Sequence, residues 1–175
     1  MLNQLVANNF AEVLFKIKKY NIDEIYRDFL EFKNIENNEP LFTDMLKQDF
    51  ISEDKKKVLF YKKFTILSKY KTFFDYLFNT KKSIYISLIV DDFIKSYRNK
   101  KKIGVIEILS SIEIYPENIT KIVNNVKNKF KFNEVIVKNK ISTNIIAGFV
   151  VYVNDNILDF SINGILNNFK HLFKK

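Results

Sequence analysis

Cysteine and tryptophan are absent from this chain of 175 residues, and glycine, proline, arginine and histidine are scarce. Each shortage excludes something. Without cysteine there is no disulfide and no thiolate metal site, which fits a reducing compartment. Without tryptophan, the 18 phenylalanines and nine tyrosines must fill much of any core. Three scattered glycines give the backbone little means to approach a phosphate closely. No Walker loop, dinucleotide fingerprint, zinc spacing or H-E-x-x-H pattern occurs. The single histidine, His171, stands beside Lys170 with no partner placed by a motif, so it reads as a surface residue and not a general base. No apolar run approaches the roughly 18 residues that span a bilayer. Met1-Leu2-Asn3-Gln4 lacks the basic start and apolar core of a secretion signal. The expectation is a soluble intracellular chain, or one docked on a membrane complex from the cytoplasmic side.

The formal charge of +9 points toward anionic partners. Yet arginine occurs only at Arg27 and Arg98, and its planar fork is what base and phosphate readers usually employ. Lys55-Lys56-Lys57 and Lys100-Lys101-Lys102 lie near Phe60, Tyr61 and Tyr97, which in principle could stack on bases. At helical spacing those aromatics read as core, and the lysines as a solvated surface. A basic, nucleic-acid-associated α+β protein is kept as the alternative function.

The chain has two grammars. No glycine precedes Gly104, and Pro40 is the one proline before it. So long a stretch almost free of breakers, with helical spacing, predicts a helical bundle over residues 1–102. Leu2, Val6, Phe10, Val13 and Ile17 recur at steps of three and four. Asn21 caps a second helix, with Glu24 as capping-box partner and Ile22, Ile25, Tyr26, Phe29 and Leu30 as its face. Asn38-Glu39-Pro40 starts a short third helix, and Ser52-Glu53-Asp54 a fourth. Residues 68–79 and 82–98 complete the set, the last carrying Ile86, Ile89, Val90, Phe93, Ile94 and Tyr97. Beyond the basic run 99–102 the period changes. Residues 103–114 read as a strand. Pro116-Glu117 opens a helix with the stripe Ile119, Ile122, Val123, Val126 and Phe130. Residues 134–142 form a second strand, and 146–159 a hairpin turning at Asn154 or Asn156. Ser161 caps a final helix with the stripe Ile162, Ile165, Leu166, Phe169 and Leu172. The fold class is therefore mainly α, an N-terminal six-helix bundle followed by a small α/β domain over 103–175.

Chemistry is thin. Asp91-Asp92 are helix neighbours that do not face each other, and read as a solvated edge. Asp159 and Ser161 suggest a nucleophile only if a base accompanies them, and none follows. A small hydrolase using Ser161 or His171 lacks an assembled site. No catalytic, cofactor-binding or metal-binding residue is assigned.

The most specific pattern lies near the end. Ile145-Ile146 precede the small pair Ala147-Gly148, a strand follows, then Asp159, Ser161, Gly164 and Leu166. This resembles the C-terminal signature of the delta subunit of the F-type ATP synthase, called the oligomycin-sensitivity-conferring protein in mitochondria. Departures are Ala147 for the first glycine, Asn154 for the turn glycine, Phe160 between Asp and Ser, Asn163 for an arginine, and Ser142 for an aspartate. Weaker echoes stand at Val6–Phe15, at Phe50–Lys56 and at Thr72–Leu77.

The resemblance implies a non-catalytic stator subunit without cofactor, and a six-helix domain followed by a smaller α/β domain. It implies that the first domain holds N-terminal segments of the head's alpha subunits in an apolar groove between its first and fifth helices. Phe10, Leu14 and Ile17 are candidates on the first, and Phe73, Phe74 and Leu77 on the fifth. Some of these six must be core. The second domain is expected to meet the b-subunit stalk through Ile165, Phe169 and Phe173. Nucleic acid is not an expected partner, and the membrane is met only through the complex, on the cytoplasmic side of the bacterial inner membrane.

Overall fold

The computed structural model describes residues 2–154 and 156–166, and the chain divides into two compact units, Met1–Tyr97 and Arg98–Lys175. The positions Phe169, His171, Leu172 and Phe173 lie outside the described residues. Six helices fill the first part: α1 (Leu2–Lys16), α2 (Ile22–Asn38), α3 (Pro40–Leu46), α4 (Glu53–Lys63), α5 (Lys71–Asn79) and α6 (Ile86–Lys101). The mainly α fold class is as expected.

Local chemistry sets the helix ends. Asn21 Oδ1 accepts from the Asp23 N–H at 2.9 Å, so the cap bond of α2 reaches the second helical residue. Pro40 stands at the first position of α3, where its missing N–H costs nothing. The segments expected at 68–79 and 82–98 each begin with a 3-10 turn, Thr65–Tyr70 and Ser83–Tyr85, before the α-helix proper. Ser68 Oγ donates to the Thr65 carbonyl at 2.6 Å within the first of these turns.

Phenylalanine does fill the helical core. Phe60 stands at its centre, with ring centroids of Phe64, Phe74 and Phe78 at 5.2, 5.1 and 5.5 Å. Phe29 meets Phe93 edge-on at 5.1 Å. All six residues of the α6 stripe are buried. The α2 stripe differs from expectation. It buries Ile25, Phe29 and Phe32, and with them Asp28 and Glu36, while Leu30 is only half-buried. The carboxylates are tolerated because each has a partner. Tyr70 Oη donates to Asp28 Oδ2 at 2.5 Å and Lys69 Nζ lies 3.3 Å away, while Lys33 pairs with Glu36. Burial first, and then the Asp28 bond, hold the Tyr70 phenol above its usual range. Tyr70→Phe leaves a buried carboxylate short of a donor. It should cost about 1–3 kcal/mol, read as a lowered denaturation midpoint with an unchanged slope.

Asp91 is exposed, as a solvated edge requires, whereas Asp92 is half-buried. Asp91 pairs with Lys33 at 3.0 Å, and Asp92 accepts from Gln4 Nε2 at 2.6 Å. Burial, and then the Asp91 charge, raise the Asp92 carboxyl above the usual range.

The second unit is built on a sheet of order β2-β1-β3-β4, where β1 is Ile103–Ser110, β2 Glu134–Ile141, β3 Gly148–Val153 and β4 Asn156–Ser161. β1 and β2 run parallel through the crossover helix α7 (Pro116–Phe130), and β1, β3 and β4 pair antiparallel. β1 ends four residues earlier than expected, because Ser110 Oγ donates to the Ile112 carbonyl at 2.7 Å and turns the chain. The expected α7 stripe, Ile119 to Phe130, packs on Ile106, Ile108, Val151 and Val153. Asn154 adopts φ 50°, the left-handed backbone that a short hairpin turn requires.

Candidate functional site

Helix α1 carries two apolar stripes, and only one serves the core of its own unit. Ala7, Ala11 and Leu14 are fully buried. Their spacing of four and three residues makes one face, and the two alanines let the helix approach closely. Phe10 and Val13, continued by Ile17 just past the helix end, where its N–H still bonds the Val13 carbonyl at 3.2 Å, form a second face, turned roughly a quarter of a circle from the first by the 3.6-residue period. These larger side chains remain partly open: Phe10 and Ile17 are half-buried and Val13 is 43 % exposed.

The second stripe forms one wall of a groove of about 520 Å³. Thr72, Phe73 and Tyr76 of α5 form the facing wall, and Lys19 and Tyr20 line it as well. Phe10 touches both aromatic residues of that wall, with centroids 6.4 Å from Phe73 and 6.2 Å from Tyr76. Tyr76 is 54 % exposed.

The six groove candidates therefore separate. Phe10, Ile17 and Phe73 line the groove. Leu14, Phe74 and Leu77 are buried in the bundle. Val13, Tyr20 and Tyr76 join the lining without having been singled out as contacts. Two interleaved stripes on α1 were the available signal, since a helix packed on one side needs only one.

In the second unit, the signature residues gather where β4 leaves the sheet. Gly148 opposes Ser161 in the hairpin register and has φ +89°. The Ile162 N–H donates to the Ala147 carbonyl at 3.1 Å, the Ser161 N–H to Asp159 Oδ1 at 2.8 Å, and the Gly164 N–H to Ser161 Oγ at 3.1 Å. Ser161 thus caps the helical residues 162–166. A Cβ on Gly164 would stand 2.6 Å from either Asp159 carboxylate oxygen, so glycine is what lets the carboxylate close over the turn. Ser161 is engaged on both sides, as a cap and as a partner of Asp159, which explains its conjunction with Asp159 without any reaction. Ile165 and Leu166 are about half exposed. Ile112, Tyr115 and Ile146 are more exposed still, around a cleft of about 680 Å³ beside Gly148.

The side-chain bond from Ser161, and then its backbone N–H, lower the Asp159 carboxyl below the usual range. A lowered carboxylate contributes stability above its ordinary pKa and loses it as pH falls through the lowered value. Ser161→Ala should cost about 1 kcal/mol. It should also move the Asp159 titration, followed by NMR, back up toward the usual value.

Sequence comparison places these features. The ATP synthase delta (OSCP) subunit family model matches residues 6–173. The chain belongs to the ATP synthase delta (OSCP) subunit family. It is thus a non-catalytic subunit and a stator component of the F-type ATP synthase, the complex of ATP synthesis and proton transport. Similar family members include the chloroplastic ATP synthase subunit delta of Galdieria sulphuraria, 28 % identical over 172 residues and covering 95 % of this chain and 96 % of that one. The ATP synthase subunit delta of Clostridium botulinum (strain Loch Maree) is 25 % identical over 176 residues, covering 98 % of both. That of Lactobacillus johnsonii is 24 % identical over 162 residues, covering 90 % and 88 %. A chain of the Toxoplasma gondii mitochondrial ATP synthase hexamer shares the fold, with a TM-score of 0.74 at 17 % identity and 97 % coverage of both chains. Among the described residues of this delta-family chain, no helix is long and apolar enough to cross a membrane.

Proposed function

We propose that this delta-family chain ties the catalytic head of the ATP synthase to the peripheral stalk. The head is pushed by the turning central shaft, and a subunit that holds it still needs two firm attachments and no reaction. Residues 1–102 seat the N-terminal segments of the head's alpha subunits in the α1–α5 groove, by a helix-in-groove mode driven by apolar burial. Residues 103–175 meet the end of the b-subunit stalk. The chain works on the cytoplasmic side of the bacterial inner membrane, a placement supported by its bacterial relatives.

The observation that carries the reading is the spare apolar stripe of α1. Phe10, Val13 and Ile17 face a groove that no other described residue of their own unit fills. For the stalk, the support is the set of exposed apolar side chains in the second unit, Ile165 among them, with Phe169 and Phe173 continuing its spacing in the sequence.

Tagged full-length chain, recovered from gently solubilised membranes, should carry both alpha and b subunits. Removing residues 162–175 should release b and keep alpha. Recovery of the intact chain with neither subunit, or with nucleic acid lost steeply as salt rises, would contradict the reading.

A further inference from the structure

The groove has a charge signature as well as an apolar floor. Lys82 Nζ sits 5.0 Å from the centre of the Phe10 ring, and Lys19, which lines the groove, has its Nζ 5.8 Å from the Tyr20 ring. Phe10 and Ile17 are seven residues apart, about 10 Å along a helix at 1.5 Å per residue. One cation therefore stands at the Phe10 end and the other at the Ile17–Tyr20 end. No carboxylate is among the lining residues. Each of the two wall helices carries one acid: Asp75, beside Tyr76, is held by Lys57 at 3.0 Å and by the Tyr61 hydroxyl at 2.8 Å, and Glu12 lies on the exposed side of α1, 3.9 Å from Lys16.

From this geometry we infer that the groove selects an amphipathic helix bearing carboxylates at both ends of its apolar ridge, over one that is neutral or basic there. The inference rests on the groove reading above and adds the chemistry of the occupant. Apolar contact supplies most of the affinity. The two lysines, each on the rim and screened by solvent, supply orientation, encounter rate and rejection of like charge. A carboxylate that reaches Lys82 or Lys19 also keeps the cation over its aromatic ring, so the pair and the ring contact reinforce each other.

Three synthetic helical peptides of 20 residues test this. All carry the same leucine ridge at i, i+3, i+4 and i+7, with Glu, Gln or Lys at the positions flanking each end. Binding to the full-length chain is measured by fluorescence anisotropy at low and high salt. The Glu peptide should bind about tenfold tighter than the Lys peptide at low salt, with Gln between them, and the spread should shrink as salt rises. Lys19→Glu with Lys82→Glu should reverse the order, and Lys19→Gln with Lys82→Gln should flatten it. Val13→Asn should weaken all three peptides alike. Equal binding of the three peptides, with Val13→Asn still weakening them, would overturn the charge selection and leave the groove standing. Binding of none, or binding that Val13→Asn does not touch, would overturn both.

Discussion

Gly148→Ala should unfold the hairpin of the second unit well below the temperature at which the parent chain loses it. Two independent terms add at this position. The residue has φ +89°, a conformation in which an L side chain is strained by about 1–2 kcal/mol. An added Cβ would also meet the Phe160 carbonyl oxygen at 2.4 Å and the Ser161 Cα at 2.9 Å. Both obstacles are backbone atoms of the paired strand, so no side chain can swing aside. Relief requires β3 and β4 to part at the point where Gly148 faces Ser161, which also disturbs the Asp159–Ser161–Gly164 turn. Overpacking of this kind costs about 1–3 kcal/mol more. For a unit of this size each kcal/mol is about 4–8 °C, so the hairpin transition should fall by 10 °C or more. Hydrogen exchange at β3 and β4 amides reads this locally. An unchanged protection pattern would show that the glycine is dispensable.

Leu14→Asp should abolish the fold of the helical unit, whereas Val13→Asn, one residue away, should barely change its stability. Leu14 is 0 % exposed and belongs to the Ala7–Ala11–Leu14 face. An unpaired carboxylate there loses its hydration with nothing to replace it, a loss of several kcal/mol beyond the cavity left by leucine. Even Leu14→Ala should cost about 2–5 kcal/mol. Val13 is open to solvent, and surface changes of this kind usually stay within about 0.5 kcal/mol. Far-UV circular dichroism and urea midpoints of the two variants separate core from groove on a single helix. Comparable destabilisation by both would mean that the two stripes are not distinct.

Much of this architecture was legible in the residues. The change of grammar after Lys102 marks the passage from helices to sheet, because glycine and proline are nearly absent on one side and β-branched residues are dense on the other. The α6 and α7 stripes were readable residue by residue, since each helix buries one face only. The signature from Ala147 to Leu166 was readable as a pattern, and the structure supplies its physical cause. Gly148 and Gly164 leave room that a Cβ would occupy, while Asp159 and Ser161 close the turn with two hydrogen bonds, the Ser161 N–H to Asp159 Oδ1 and the Gly164 N–H to Ser161 Oγ.

What the sequence hid follows from long-range partners. Asp28 and Glu36 break the hydrophobic pattern of α2, and only Tyr70, forty-two residues on, and the neighbouring lysines make Asp28 and Glu36 tolerable inside. Which stripe of α1 faces the core depends on how near α1 comes to its neighbours. The choice fell to Ala7 and Ala11 because small residues permit contact that Phe10 and Val13 would prevent. The more apolar stripe was thereby left over, which hydrophobicity alone would have ranked first for burial. The split of Leu14 from Ile17, and of Phe74 and Leu77 from Phe73, is the same effect on the two walls of one groove.

The central claim is that this spare stripe is held open for the head. Affinity of the isolated catalytic head for the full-length chain should be measured for the parent and for the Val13→Asn/Ile17→Asn double variant, with folding checked by circular dichroism. Loss of two desolvated apolar anchors should weaken binding at least 30-fold while the spectra coincide. Equal affinity of parent and double variant would contradict the account.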